Sequence, residues 1–176
     1  MPKITVTEYV SLDGVFDEPG QWSFPFWTDE AAKWKYDELL AADAQLLGRV
    51  TYEGFAVAWP TMEDEAGFAD RMNGMPKYVV SSTLTDPAWT NTKVITVDEI
   101  TDLPAENLLV AGSGQLVDSL FREGLVDEFR LLVHPIVLGS GKQLFHDGLP
   151  TTSLALEDQQ TFSSGVLALT YRRPTA

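Results

Sequence analysis

An apolar run, Leu108 to Ala111, ends at Gly112-Ser113-Gly114 and passes at once into a segment with Leu116, Val117, Leu120 and Phe121 at helical spacing. That order predicts a strand, a glycine turn and an amphipathic helix that stops at Gly124. Glycines at such a turn let backbone approach a ligand, and the unpaired first N–H groups of the helix point at it. The chemistry this suits is phosphate binding without a basic side chain; a tight turn that merely uses glycine is the plainer alternative. Leu46 to Phe55 (LLGRVTYEGF) repeats the plan at Gly48. There Arg49 adds a planar donor array matched to phosphate and Thr51 a hydroxyl, although for this segment alone a pairing of Arg49 with a surface carboxylate, with Thr51 only capping the helix, is the plainer reading. Pro76 to Leu84 (PKYVVSSTL) brings a third strand to two adjacent hydroxyls, Ser81 and Ser82. Ligands of open α/β sheets bind across the carboxyl ends of strands, and a long ligand with more than one phosphate accounts for all three.

Two better-known phosphate motifs fail on inspection. Gly112-Ser113-Gly114 would open a dinucleotide fingerprint, but Val117 occupies its third glycine position. Gly139-Ser140-Gly141-Lys142 resembles the tail of a P-loop, yet Gln143 follows the lysine and Ile136 takes the leading glycine position. The chain has no cysteine, which removes disulfides, thiolate metal sites and cysteine nucleophiles. Its two histidines, His134 and His146, lack any short metal-ligand spacing, so no metal is expected. Twelve Lys and Arg against 26 Asp and Glu give a net charge of −14, which argues against nucleic acid or an anionic membrane as partner. The acidic stretch Glu63 to Asp70 reads as a solvated face. With no apolar signal segment and no run of about 18 apolar residues, a soluble cytoplasmic protein is expected.

The elements that must position these residues follow from periodicity. Strands are predicted at Ile4–Val10, Ala44–Leu47, Lys77–Ser81, Lys93–Val97, Leu108–Ala111, Val126–Val133 and Val166–Tyr171. One helix runs from an N-cap at Thr28 to about Ala42, a short one covers Thr51–Ala56, and the third follows Gly114. Ser11 to Trp27 reads as loop, and the stretch up to Asn73 as irregular. The 176 residues suit one domain of α/β class, a mixed, mostly parallel central sheet with helices on both faces.

In sequence order, SLDG (Ser11–Gly14), LLGRVTYE (Leu46–Glu53), KYVVSS (Lys77–Ser82), AGSGQLVDSL (Ala111–Leu120) and LVDEFRLLVHPIVLGSGKQLF (Leu125–Phe145) carry a resemblance over nearly the whole chain. The sequence resembles the dihydrofolate-reductase-like superfamily, and more narrowly the reductase domain at the C-terminal end of the bifunctional riboflavin-biosynthesis deaminase-reductase. The resemblance implies that fold, NADPH as cofactor and a homodimer. It places Gly48 and Arg49 on the adenosine-side phosphate, Thr51 on the pyrophosphate, and Ser81 and Ser82 on the ribose and its 2′-phosphate. Gly112, Ser113, Gly114 and Gln115 would cradle the pyrophosphate and nicotinamide ribose, with Val10, Ser11, Asp13 and Gly14 beside the nicotinamide.

The chain also departs from these families. Asp29, Glu30, Asp37 and Glu38 are available on the first helix, but none sits in a recognisable pterin-binding motif, and apolar Val15 follows Asp13-Gly14. The zinc deaminase half is absent. Hydride transfer needs an accompanying proton, and Asp13 is the candidate donor, provided an apolar pocket keeps it protonated. Trp22, Phe24, Phe26, Trp27 and Trp59 are candidates to form that pocket and to stack on a planar heterocyclic substrate, Trp22, Phe26 and Trp59 foremost. The expected activity is NADPH-dependent reduction of a small planar heterocycle; the alternative is a nucleotide-binding module without catalysis.

Overall fold

Alternation of side chains fixes how β1 (Lys3–Ser11) divides the molecule. Ile4, Val6 and Val10 join one buried apolar cluster with Leu116, Val117 and Leu120, while Thr7 and Tyr9 on the opposite face meet Lys35. The computed structural model describes residues 1–174. Its remaining elements are α1 (Asp29–Ala41), β2 (Ala44–Gly48), α2 (Arg49–Ala58), α3 (Phe68–Gly74), β3 (Lys77–Val80), β4 (Thr92–Ile95), β5 (Asn107–Val110), α4 (Gly114–Arg122), β6 (Glu128–His134), β7 (Ala155–Thr161) and β8 (Leu167–Arg172).

The strands form one eight-stranded sheet in the order β4-β3-β2-β5-β1-β6-β8-β7. Neighbours from β4 to β6 pair in parallel, and β8 and β7 add an antiparallel hairpin at one edge. Leu46, Leu108 and Val110 face α4 and the 3-10 turn Val97–Asp102. Leu47, Val79 and Leu109 pack with Leu39 of α1, Tyr52 of α2 and Met72 of α3. Helices therefore cover both faces, and the expected fold class holds.

Three elements differ from expectation. α2 starts at Arg49 and reaches Ala58, because Gly48 itself is the N-cap and apolar spacing continues past Ala56. α3 lies inside the stretch expected to be irregular; Asp64 accepts from Phe68 N and Ala69 N at 2.9 and 2.6 Å and so starts a helix that Gly67 N-caps with φ 82°. β7 lies outside the predicted strands, since all seven of its residues are exposed and show no apolar alternation.

One feature of the register matters for the site. β1 pairs with β5 only up to Val6 opposite Val110, yet continues beside β6 to Ser11 opposite His134. From Thr7 onward β1 has no strand partner on its β5 side, a notch in the pairing at the carboxyl end of the sheet; Thr7, Glu8, Val10 and Ser11 are buried there, and Ser11 N donates to Val15 O of the following loop at 2.8 Å.

Candidate functional site

Two of the glycine turns interlock beside that notch. Gly48 N donates to Gly112 O at 3.1 Å, and a Cβ on Gly48 would stand 2.0 Å from Ser113 Oγ and 2.8 Å from Ser113 N. Gly112, at φ 113° with a cis bond to Ser113, leaves room for Thr51, whose Oγ1 would be 2.6 Å from a Cβ there. Thr51 thus buttresses the second turn from behind. The glycines serve close approach between backbones as well as any approach by a ligand. Neither Gly48 nor Ser113 makes a side-chain cap bond, so the leading amides of α2 and α4 stay free to meet an anion.

Around these turns lies a cleft of about 400 Å³, lined by Gly48, Arg49, Ser81, Ser82, Ser113 and Gln115, together with Thr83 and Thr96. All three strand ends singled out in the sequence meet here. Thr83 and Thr96 are additions; Thr96 is legible as the first residue of a capping box, Thr96 to Glu99, that orders the turn after β4. Among the described residues no carboxylate lines the cleft and Arg49 is the single cation in it. Arg49 Nη1 holds both oxygens of Glu53, one helical turn on, at 2.9 and 3.0 Å. Both side chains are about half exposed, so the pair is worth only about 0.3–0.5 kcal/mol and yields readily to a phosphate.

At the far side of the notch the loop after β1 is stitched to the segment after β6. Leu12 N donates to Ile136 O at 2.8 Å, Phe16 N to Lys142 O at 3.0 Å and Leu144 N to Gly14 O at 3.0 Å. Asp13 completes the clamp, accepting from Ser11 Oγ (2.7 Å), Leu138 N (3.1 Å) and Gly139 N (2.8 Å). These donors, the Ser11 hydroxyl foremost, pull its carboxyl down to about 2. Asp13 is therefore an ionised loop anchor and not the protonated donor expected of it. The Ser11 hydroxyl is likewise consumed, since it also accepts from Val15 N at 2.9 Å. Val10 is buried in the core, and Gly14 supplies a positive φ of 88° to the turn.

The aromatic residues divide differently from expectation. Trp22 and Phe26 pack edge-on against His134 at 5.2 and 5.8 Å, and Tyr9 completes the box at 5.6 Å. Burial holds the His134 imidazole below its usual range despite the carbonyls of Leu132 and Val10 beside it. Trp22 and Phe26 thus sit at the carboxyl ends of β1 and β6, on a neutral histidine that sequence spacing did not reveal. Trp59 is elsewhere: it packs on Phe68 at 5.3 Å and Phe55 at 6.2 Å. It follows the ten-residue α2, about 15 Å from the Gly48 end, and does not reach the cleft.

The RibD C-terminal domain family model matches residues 2–168. The chain belongs to that family. RibD C-terminal domains are reductase domains, which puts the chain with the oxidoreductases at a coarse level. Two Bacillus subtilis (strain 168) proteins, both uncharacterized, are similar. YyaP is 32% identical over 143 residues, covering 77% of this chain and 76% of its own, and YwjB is 29% identical over 163 residues, covering 89% and 90%. Among solved structures, a putative riboflavin biosynthesis protein from Shewanella sp. PV-4 superposes with a TM-score of 0.80 at 22% identity, covering 98% of this chain and 99% of that one. A pyrimidine reductase-like protein from Corynebacterium diphtheriae gives 0.68 at 15% identity, covering 99% and 93%. These likenesses establish the fold. No helix among the described residues is long and apolar enough to cross a membrane.

Proposed function

We propose that this RibD C-terminal domain family member is an NADPH-dependent reductase of a small planar heterocycle of pyrimidine or pteridine type. The observation that carries the reading is the convergence of three strand ends on one cleft that offers free helix amides, hydroxyls and, among the described residues, a single guanidinium and no carboxylate to oppose a phosphate. A carboxylate would favour a free ribose diol; Arg49 with Ser81, Ser82 and Thr83 suits a ribose bearing a phosphate. Gly112 to Gln115 would hold the pyrophosphate at the start of α4. The nicotinamide ring would lie toward the carboxyl end of β1, near Val10 and Ser11. When bound, the cofactor supplies a hydride. The protein's part is to fix the ring's orientation, exclude water through the clamped loops and deliver a proton. The similarity to a putative riboflavin biosynthesis protein and to a pyrimidine reductase-like protein supports a heterocyclic substrate.

Titrating the protein into NADPH is expected to change nicotinamide fluorescence with a micromolar Kd; no change at millimolar cofactor overturns the proposal. Arg49→Ala should weaken NADPH at least tenfold more than NADH, about the 1.4 kcal/mol or more of a charge-assisted phosphate contact. An equal loss for both cofactors would show that Arg49 does not read the 2′-phosphate.

A further inference from the structure

With Asp13 clamped and ionised, the proton must come from another group. Three carboxylates are buried among the described residues: Glu8, Glu38 and Glu128. Glu128 is paired with Lys3 at 2.7 Å and Arg172 at 2.9 Å. Glu38 is paired with Lys35 and, at 3.3 Å, with Arg130. Glu8 has no ion-pair partner among the described residues, and its Oε1 is buried without a hydrogen bond to any of them. A carboxylate left this way costs several kcal/mol, whereas a carboxylic acid costs far less.

Its position is as telling as its isolation. Strand alternation puts Glu8 between Val6 and Val10, on the face toward α4. Two residues past the last β1–β5 pair, it is level with Gly112, one of the turns beside the cleft, where the β5 pairing has ended. We propose that Glu8 delivers the proton that accompanies hydride transfer at this notch, an inference that rests on the reductase reading above. In the step, the Glu8 O–H bond breaks and its proton joins the heteroatom of the substrate's C=N or C=O bond as the hydride joins the carbon. The two electrons come from NADPH, which leaves oxidised, and the Glu8 carboxylate regains a proton from solvent after product release.

The electrostatics agree with this role. Burial, opposed by Lys35 and aided by Glu38, pushes the Glu8 carboxyl up to about 8. Tyr9 on the same strand stays protonated, its hydroxyl pushed further up by burial. On β6, Glu128 and Arg130 lie on the opposite face from Glu8, both paired. On α4 the charged residues, Asp118 and Arg122, pair with each other. Glu8 therefore holds a proton at neutral pH where Asp13 does not.

Glu8→Gln tests this, since it keeps the shape and removes the acid. The first readout needs no turnover: a ¹³C-carboxyl titration of the wild type, with Glu8→Gln identifying the resonance, should show Glu8 protonated at pH 7 and titrating near 8. A resonance already ionised at pH 6 overturns the proposal. The second readout is NADPH oxidation with a panel of pyrimidine and pteridine acceptors. Glu8→Gln should keep the NADPH Kd within twofold, lower kcat about a hundredfold and abolish the loss of rate above pH 8, with Glu8→Asp partly restored. Turnover within threefold of wild type and an unchanged pH profile overturn the role of Glu8 alone. Absence of NADPH binding by the wild type overturns the reductase reading and this inference together.

Discussion

Asp13 and Gly48 show how much a single position decides in this site. Asp13 ties the loop after β1 to Leu138 and Gly139, and its carboxyl is depressed from 3.8 to about 2 by the donors around it. A depressed acid stabilises the fold above its unfolded value and loses that contribution as pH falls through its folded value. The clamp should therefore be intact at pH 4 and open between about 4 and 2. Hydrogen exchange at the Leu138 and Gly139 amides checks this: Asp13→Ala should exchange faster than wild type at pH 5, and the two should converge near pH 2. A constant difference down to pH 2 would mean the carboxylate is not what holds the loop. Gly48→Ala tests the interlocked turns, because the new Cβ would meet Ser113 backbone and side chain at once. Overpacking of this kind costs about 1–3 kcal/mol, and here it would push apart the two helix starts that line the cleft. The variant should unfold at lower temperature and lose NADPH binding by more than tenfold, read by calorimetry and fluorescence.

Among the elements, those that end at the cleft were legible because their purpose dictates their composition. A buried strand, a glycine and a helix start left the same trace at Leu46–Gly48 and Leu108–Gly112, and Ser81-Ser82 marked the third. The elements that escaped are those whose stability comes from elsewhere. β7 is exposed along its whole length and is specified by pairing with β8. α3 is held by the Asp64 carboxylate and by Ala69 and Met72 buried under acidic surroundings that read as solvated loop. The box around His134 joins Tyr9, Trp22 and Phe26 from distant segments, and no spacing along the chain encodes it. The far edge of the sheet holds a similar case in Lys77. Its side chain is buried, with Nζ donating to Asn73 O, Met75 O and Thr90 O at 2.8, 2.8 and 3.2 Å and lying 4.3 Å from the Trp89 ring. It joins the end of α3, the start of β3 and the segment before β4. Lys77→Met preserves the aliphatic stem but strands three carbonyls, each costing about 1–3 kcal/mol when buried and unpaired. A loss of about 3 kcal/mol or more in urea unfolding is expected, with NADPH affinity nearly unchanged; a loss below 1 kcal/mol would show that water replaces the ammonium.

For the molecule as a whole, the surplus of 14 negative charges opposes a polyanionic cofactor, and one arginine in the cleft does not cancel it. The two effects act over different distances. Repulsion from the whole surface reaches about 30 Å at 0.01 M salt but only about 8 Å at 0.15 M, whereas the amides and Arg49 act at contact. Salt should therefore ease the approach of NADPH more than it weakens the bound state. Stopped-flow association rates are expected to rise about threefold or more from 0.01 to 0.15 M salt, the reverse of a basic protein steering an anion. Arg49→Ala should speed dissociation yet leave the salt slope of association in place, since it makes a surface of net charge −14 only one unit more negative. An association rate that falls with salt would instead mean that the local field of the cleft reaches beyond the acidic surface, and that the negative charge lies away from the path of the cofactor.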